Sequence, residues 1–327
     1  MPHDALDERL LNDFQRGFPL VDRPFAGIAA RVGAGEAEVL ERYARLAAEG
    51  SVSRIGVVFR PNAAGASTLA AVAAPLQRLE EVANFLAVQP EVNHNYEREH
   101  RLNLWFVLAA PSPRELGAAI ARIERGIGLP VLSLPLIEEF HIDLGFDLRT
   151  GWAPRGPLAP AVRIDEAERS LVAALQEGFP LVERPFDAVG RASGMSGEAV
   201  IGNLARWLAE RVARRIGVVV RHRRLGFEAN AMVVWNAPDA DASAIGKRLA
   251  ARKDVTLCYL RPRRLPGWPY NLFCMIHGRE RGAVQRRIEQ LRRGAGIEAL
   301  PHVVLFSRRC FTQRGARYAK PAEVAHG

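Results

Sequence analysis

One nine-residue phrase occurs twice in this chain. GFPLVDRPF fills residues 17–25 and GFPLVERPF fills residues 178–186, with a single exchange of Asp for Glu. A second phrase, RIGVV, recurs at residues 54–58 and 215–219 with the same offset of 161 residues. A constant offset between separate phrases indicates that a whole structural unit is duplicated. The 327 residues are therefore predicted to form two tandem copies, each long enough to bury its own core.

Composition limits the class of protein. Hydrophobic residues make up 48% of the chain, yet no apolar run reaches the roughly 18–20 residues of a membrane span. The first ten residues, MPHDALDERL, lack the basic, apolar and small-residue regions of a secretion signal. The cysteines, Cys258, Cys274 and Cys310, form no CxxC pair, which argues against a disulfide framework or a thiolate metal site. We expect a soluble cytoplasmic protein with no membrane partner.

The net charge of +9 is concentrated in the second copy. Residues 1–160 carry a balance of −4, and residues 161–327 carry +13. Nearly all the bases are arginines, the exceptions being Lys247, Lys253 and Lys320. A GC-rich genome explains this bias, and so does recognition of a polyanion, because guanidinium pairs with carboxylate or phosphate in bidentate fashion. Composition does not choose between these explanations, nor between carboxylates and nucleic acid.

Each copy begins with predicted helices. First helices are predicted at 4–16 and 164–177, and Pro24 and Pro185 suit the first turn of the second helices. Third helices are predicted at about 35–48 and 196–210, because apolar residues recur there at helical spacing. A strand that contains RIGVV follows each third helix. Three helices and a strand are typical of a winged helix-turn-helix.

The remainder of each copy alternates strands and helices. With the RIGVV strand counted, the order is β-α-β-β-α-β, which is typical of a ferredoxin-like unit. Residues 150–160, TGWAPRGPLAP, have the composition of a linker. The predicted fold class is α+β, a tandem repeat of a winged helix-turn-helix and a ferredoxin-like α/β sandwich. The predicted boundaries are 1–53 and 164–214 for the helical units, 54–148 and 215–320 for the α/β units, and 149–163 for the linker.

This architecture resembles the Lrp/AsnC transcription regulators along nearly the whole of each copy. The resemblance implies DNA binding by the third helix, and effector binding and assembly by the α/β unit. The segment around the third helix of the first copy, GAGEAEVLERYARLAAEG at 33–50, opposes DNA binding, because its four glutamates outnumber its two arginines and would face phosphates. The copies also differ most on the surface that would contact bases. A regulator that binds a twofold-symmetric DNA site needs two identical DNA-binding units. We therefore expect that DNA is not a partner.

The segment VNHNYERE at 92–99 is polar where a strand is predicted. Strand alternation puts His94, Tyr96 and Arg98 on one face. A solvated sheet face explains such a row of polar side chains, and so does a binding site.

The second polar segment is VTLCYLRPRRLPGWPYNLFCMIHG at 255–278. A Pro-bounded turn here presents arginines beside aromatic rings, which suits a flat ligand with acidic edges because rings stack and guanidinium groups pair with carboxylates. The candidate binding residues are Tyr259, Arg261, Arg263, Arg264, Trp268, Tyr270 and Asn271. His277 ends an apolar strand, which places it at the rim or inside of the sandwich in a structural or a functional role.

These segments are similar to those of the sirohaem decarboxylases, a family related to the Lrp/AsnC proteins. The similarity covers almost the full length and includes FPLVDRPF with its second copy, HNYERE…LNLWFVL in the first half, and TLCYLRPRRLPGWPYNLFCMIHG in the second. The order of the copies resembles the fused form of the D and L proteins of haem d1 biosynthesis, which elsewhere are often separate chains.

The resemblance implies a carboxy-lyase that converts sirohaem to 12,18-didecarboxysirohaem by loss of two acetate carboxyls, in haem d1 or alternative haem biosynthesis. Tyr96 and Arg98 then join the substrate-binding candidates, and His94 and His277 become the candidate catalytic residues, as proton donors or as groups that orient an acetate. No added metal or organic cofactor is expected, since the iron is part of the substrate. The implied partners are sirohaem and either a homo-oligomer or related decarboxylase subunits.

Two alternatives remain open to sequence reasoning. A DNA-binding regulator of the Lrp/AsnC type would sense a tetrapyrrole without turnover, and a carrier would bind it with neither activity. The copies also place their histidines differently, since His94 falls opposite Leu257 and His277 falls opposite Ala109. The sequence therefore leaves open whether the chain has one site or two. His222 is expected at the surface.

Overall fold

A computed structural model of the chain describes residues 3–142, 145, 147–149, 164–165 and 167–319. The predicted linker, 149–163, lies outside the described residues except for Arg149. In chain order the first half contains α1 (Ala5–Asn12), α2 (Pro24–Val32), α3 (Glu36–Ala48), β1 (Val52–Phe59), β2 (Ala66–Val72), α4 (Leu79–Val88), β3 (Val92–Arg98), β4 (Leu104–Ala110), α5 (Pro113–Ile127), β5 (Leu132–Pro135) and β6 (Glu138–Ile142). The second half contains α6 (Arg169–Leu175), α7 (Pro185–Ser193), α8 (Gly197–Ala209), β7 (Ala213–Val220), β8 (Ala229–Trp235), α9 (Asp239–Ala250), β9 (Leu257–Leu260), β10 (Leu272–Gly278), α10 (Arg281–Ala295) and β11 (His302–Gln313).

The helices that open each half begin and end where the sequence marks a boundary. Pro24 and Pro185 occupy the first turn of α2 and α7, and Gly33 and Gly194 end those helices in the left-handed conformation that glycine tolerates. The predicted apolar stripes of α3 and α8 are buried in one core that both halves share. The helical units and the α+β class are confirmed. None of the helices in the described part of the chain is both long and apolar enough to cross a membrane.

The prediction that the RIGVV strands belong to the α/β units is wrong. These strands, β1 and β7, pair with each other in a separate antiparallel ribbon, with Gly56 opposite Gly217. The two glycines hold the same position of the repeat, so the ribbon is a segment paired with its own copy about a pseudo-twofold axis. Glycine allows other backbone segments to approach the ribbon: a Cβ at Gly217 would lie 2.3 Å from the carbonyl oxygen of Phe14.

The nine-residue phrase also contacts its own copy. The rings of Phe18 and Phe179, one from each copy, pack with their centroids 5.4 Å apart. Arg23 forms an ion pair of 3.1 Å with Glu183, and Arg184 forms the reciprocal ion pair with Asp22. The single Asp/Glu difference between the copies keeps a carboxylate in both pairs. The repeated phrase is therefore the two sides of one isologous contact.

The α/β units have the ferredoxin-like strand order once β1 and β7 are set aside. The first half is ordered β5-β2-β4-β3 and the second β11-β8-β10-β9, which is the same order by position in the repeat. Each half also gives a strand to the other, because β6 pairs with β9 and the far end of β11 pairs with β3. This exchange joins the strands of both units, among the described residues, into one nine-stranded sheet.

The two α/β units pack sheet against sheet. The core between them combines residues of both halves: Leu69, Trp105 and Leu134 from the first, and Met232, Phe273 and Leu305 from the second. The helices α4 and α5, and α9 and α10, cover the outer faces in separate cores. Side chains on the inner faces of β3, β9 and β10 are therefore in a position to form a site to which both halves contribute.

We expect Gly217→Ala to lower the Tm, because the added methyl group would meet the carbonyl oxygens of Phe14 and Gln15 at 2.3 and 2.5 Å. Overpacking of this kind costs about 1–3 kcal/mol of unfolding free energy. Gly202→Ala is the control, since a Cβ at this helical position meets nothing within 4 Å and should raise helix stability by about 0.5–1 kcal/mol. Thermal unfolding followed by circular dichroism measures both. A Tm of Gly217→Ala equal to wild type would contradict the close approach at the ribbon.

Candidate active site

The side chains of β3 divide between its two faces. Asn95 donates a 3.0 Å hydrogen bond to the carbonyl oxygen of Ala83 in α4, so it lies on the helix-covered face. His94, Tyr96 and Arg98 therefore share the opposite face, toward the second half. Arg98 is only 7% exposed. The predicted alternation is confirmed, and this face is buried at Arg98 and half-buried at His94 and Tyr96.

From the second half, β9 and β10 contribute side chains to the same space. Phe273 and Met275 lie in the core between the sheets, so His277, two residues further along β10, faces that space as well. Tyr259 lies in this core, and Arg261 follows it at the same spacing. His277 therefore lies inside the sandwich, where polar side chains of both halves meet.

Arg98 reaches from the first half across to the second. Its guanidinium donates a 3.0 Å hydrogen bond to the carbonyl oxygen of Leu305 and lies 3.8 Å from the Sδ of Met275. Its Nε has no hydrogen-bond partner among the described residues. Burial lowers the pKa of Arg98 to about 10. A buried cation is unfavourable by itself, so this site favours an incoming anion.

Arg261 occupies the equivalent place in the other half. Its guanidinium donates a hydrogen bond to the carbonyl oxygen of Leu134, just as that of Arg98 does to Leu305. The guanidinium carbon of Arg261 lies 4.5 Å from the centroid of the Tyr259 ring. Burial lowers the pKa of Arg261 as well. Each half therefore contributes one Tyr-x-Arg pair to the space between the sheets.

His277 lies beside Thr256 and His222. Its Nδ1 is 2.8 Å from the hydroxyl oxygen of Thr256, and its ring centroid is 6.1 Å from that of His222. Burial, followed by the positive charge of Arg98, lowers the pKa of His277 to about 4. We call Arg98, His222, Thr256 and His277 the His277 cluster.

The expectation that His222 lies at the surface is wrong. Its side chain is buried, and burial is the main cause that lowers its pKa, followed by His277 and Arg215. The signal in the sequence that could have indicated burial is that His222 directly follows the apolar strand segment RIGVVVR.

His94 belongs to a second cluster. Its ring stacks on that of Tyr96, with centroids 6.3 Å apart. Burial, followed by the charge of Arg54 on β1, lowers the pKa of His94 to about 4. We call Arg54, His94 and Tyr96 the His94 cluster. Tyr96 connects it to the His277 cluster, since the Arg98 guanidinium lies 5.8 Å from the Tyr96 ring centroid.

Two arginines, the half-buried Arg54 and the buried Arg215, were missed by sequence reasoning. Arg54 and Arg215 are the first residues of the two RIGVV phrases and hold the same position of the repeat. Arg215 is 4% exposed and donates to the carbonyl oxygens of Gln15 and Val218 at 2.6 and 3.0 Å. Burial, followed by neighbouring arginines, lowers its pKa to about 9. The signal that could have found this pair is an identical charge at the start of both copies of an apolar strand.

The remaining predicted arginines lie in a turn and bond to nearby backbone and side-chain acceptors. The acceptors of Arg263 are Asn236 and Pro269, each at 3.0 Å, with Asp239 and Ala237. Arg264 is exposed, and its Nε donates a 3.1 Å hydrogen bond to the carbonyl oxygen of Ser133 in the first half. These contacts hold the turn against both halves, and a role in substrate binding stays a prediction.

Trp268, Tyr270 and Asn271 also have structural contacts. Trp268 is 1% exposed, and its ring centroid lies 5.0 Å from those of Tyr270 and Trp105. Asn271 bonds the backbone N–H and carbonyl of Ala237 at 2.9 and 3.0 Å. The matching residue of the first half, Asn103, bonds the backbone N–H and carbonyl of Ala74 in the same way, at 2.9 and 2.8 Å. Substrate binding by these three residues likewise stays a prediction.

The two clusters combine three histidines and one tyrosine with two arginines, Arg54 and Arg98. Among the residues that the structure describes, no three His, Cys, Asp or Glu side chains come together to hold a metal ion. Guanidinium groups bind anions and imidazoles exchange protons near neutral pH. The arrangement suits an acidic ligand placed between the two halves.

Comparison with known proteins gives the following findings. The model of a siroheme decarboxylase NirDL-like HTH domain matches residues 7–52 and 168–214, and that of an AsnC-like ligand binding domain matches 64–141 and 224–312. The siroheme decarboxylase NirDL subunit of Paracoccus denitrificans (strain Pd 1222) is 47% identical over 326 residues, which cover 98% of this chain and 100% of that protein. The siroheme decarboxylase NirL subunit of Stutzerimonas stutzeri is 49% identical over 154 residues, covering 47% of this chain and 91% of that subunit. A crystal structure of siroheme decarboxylase NirDL with an iron-uroporphyrin III analogue matches with a TM-score of 0.68 and 31% identity, covering 97% of this chain and 96% of that chain.

We expect the unfolding free energy of the ligand-free protein to fall as the pH decreases from 6.5 to 4. His94 and His277 have a pKa of about 4 in the folded protein and an ordinary value of 6.5, so in this range the unfolded chain binds more protons. Each histidine contributes a slope of at most about 1.4 kcal/mol per pH unit. Denaturant unfolding should give a shallower slope of unfolding free energy against pH for the double variant His94→Gln/His277→Gln than for wild type. Equal slopes in the double variant and wild type would contradict this.

Proposed function

The chain belongs to the siroheme decarboxylase family, and from this premise we propose that it converts sirohaem to 12,18-didecarboxysirohaem by removing two acetate carboxyl groups. The observation that carries the proposal is a set of buried and half-buried arginines together with His94 and His277, on elements of both halves. The arginines are Arg54, Arg98, Arg215 and Arg261.

Substrate binding follows from charge and shape. Sirohaem is a flat macrocycle with eight carboxylates, and a carboxylate that pairs with Arg98 or Arg261 offsets a cation that burial has made unfavourable. Tyr96 and Tyr259 lie beside these arginines and supply rings for the macrocycle edge. The same pairing would orient the acetate groups that are lost.

The histidines supply the protons that the reaction consumes. When a C–C bond to a carboxylate breaks and CO₂ leaves, the electron pair remains on the side-chain methylene, where the macrocycle delocalises it. One proton per carboxylate then gives a methyl group. In the ligand-free protein Arg98 disfavours the protonated form of His277. A substrate carboxylate on Arg98 offsets that charge, so binding favours the protonated histidine that the reaction needs. No further cofactor enters this scheme, and the iron arrives with the substrate.

The two halves of this chain would act as a fused pair of subunits. The NirL subunit from Stutzerimonas stutzeri matches about half of the chain, and the contact between the halves is isologous, as in a dimer. We place the product in haem d1 or alternative haem biosynthesis. All three cysteines are free thiols, which fits the cytoplasm that we propose as its location.

A DNA-binding regulator is the alternative that this proposal replaces. The arginines of α3 are held by carboxylates of α1 and its N-cap: Arg42 lies 2.7 Å from Asp4, and Arg45 lies 2.6 Å from Asp7. The rest of the α3 surface is rich in glutamate. A groove of DNA would meet a surface whose positive charge is already neutralised.

We expect the purified protein, incubated anaerobically with sirohaem, to give a product lighter by two CO₂ without added cofactor. His94→Gln and His277→Gln should still bind sirohaem and turn it over about 10²–10⁴ times more slowly, because each removes a proton donor. Mass spectrometry of single-turnover samples measures full and half decarboxylation, and absorbance titration measures affinity.

His302→Gln is the control, since His302 begins β11 and lies outside both clusters. Tight binding without any mass change in the wild-type protein would defeat the enzymatic proposal. A near wild-type rate for His277→Gln would make that histidine structural, and a half-decarboxylated product in one variant would assign its histidine to one acetate.

Arg98→Met should raise the Kd for sirohaem, because methionine fills the same space without the charge. Loss of a buried ion pair costs about 2–5 kcal/mol of binding free energy. Arg261→Met tests the equivalent position in the other half. Arg122→Met is the control, since Arg122 pairs with Glu91 on the outside of the first half. Unchanged affinity in both test variants would place the binding face elsewhere.

A further inference from the structure

The hydroxyl group of Thr256 lies between two polar atoms. Its Oγ1 is 3.1 Å from the carbonyl oxygen of Met275 and 2.8 Å from the Nδ1 of His277. Thr256 is 3% exposed. The carbonyl oxygen of Met275 also accepts a 3.0 Å hydrogen bond from the backbone N–H of Thr256. Two acceptor atoms at 3.1 Å repel each other, so the hydroxyl hydrogen must be placed to match donors with acceptors.

A hydroxyl group has one hydrogen to donate. If it went to His277, the Oγ1 would face the Met275 carbonyl with lone pair against lone pair. If it goes to the carbonyl oxygen, which can only accept, the Oγ1 is left as the acceptor for an N–H of His277. Only this second arrangement makes both contacts favourable. The neutral imidazole then carries its hydrogen on Nδ1 and has its lone pair on Nε2.

We propose that Thr256 is a positioning residue that fixes His277 in the Nδ1–H tautomer, so that Nε2 is the atom that takes up and delivers a proton. The backbone carbonyl of Met275 holds the hydroxyl group in turn, which makes a carbonyl–hydroxyl–imidazole chain. The catalytic meaning of this arrangement rests on the proposed decarboxylase function, whereas the tautomer itself does not.

Other groups around His277 act on its charge. Arg98 faces it from β3 and His222 from the segment after β7. Arg287 of α10 bonds to the backbone carbonyl of His277, at 3.3 Å. A variant of Thr256 therefore changes which nitrogen bears the hydrogen while these charges stay in place.

The first test uses the ligand-free, full-length protein labelled with ¹⁵N-histidine. Long-range ¹H–¹⁵N correlation spectra distinguish the two neutral tautomers, and loss of signals in His277→Gln assigns the ring. We expect the Nδ1–H pattern in wild type and in Thr256→Ser, and an Nε2–H or mixed pattern in Thr256→Val. Thr68→Val is the matched control, because Thr68 is also a buried threonine whose hydroxyl forms hydrogen bonds, but it lies on β2 of the first half. An Nε2–H pattern in wild type, or an unchanged pattern in Thr256→Val, would overturn the proposal.

The second test separates positioning from stability. Thr256→Val should lower kcat for sirohaem at least about tenfold with little change in Kd, as the wrong tautomer does in other imidazole catalysts. Thr256→Ser should restore most of the rate, and Thr68→Val should leave it unchanged. An unaltered kcat in Thr256→Val, with an altered tautomer, would overturn the positioning role. Failure of the decarboxylase function would appear differently, as an inactive wild-type protein that still shows the Nδ1–H pattern.

Discussion

The structure depends on one backbone pairing, between β1 and the copy of itself in β7. Gly56 lies opposite Gly217 because both are the same point of the repeat, and this pairing sets a pseudo-twofold axis. The phrases that precede the ribbon meet about the same axis through reciprocal ion pairs. Because the axis passes between the halves, the inner faces of β3 and β10 are brought to a common space. The position of the candidate site therefore follows from this pairing, and the ribbon itself contributes Arg54 to the His94 cluster.

Electrostatic strain gives that space its character. The buried arginines are held mainly by backbone carbonyl groups, which satisfy hydrogen bonds without supplying a full negative charge. Arg98 on Leu305 and Arg261 on Leu134 show this arrangement in both halves. Such cations are poised for an anion, and their charge adds to burial, the larger cause, in lowering the pKa of the neighbouring His94 and His277. Binding and proton supply are thereby coupled through the same few side chains.

Sequence reasoning reached the parts of this structure that have local causes. The helices follow from apolar spacing and from Pro24 and Pro185, and the shared face of His94, Tyr96 and Arg98 follows from strand alternation. The pairing of β1 with β7 was not reached, because contacts between segments 161 residues apart leave no periodic pattern. The turn arginine Arg263 looked like a ligand clamp, yet nearby acceptors occupy its guanidinium. Burial depends on what the rest of the chain places beside a residue.

The joining of both halves in one chain has a genetic consequence. In a homodimer every substitution appears at two symmetry-related places, so a residue that helps at one and harms at the other cannot be gained. Here β6 and β11 cross to the opposite unit, yet every symmetric position is encoded separately within one gene. A histidine could therefore arise at 277 while its counterpart, Ala109, stayed small. Duplication retains the frame of a symmetric dimer and frees its interior to match a macrocycle that has no symmetry of its own.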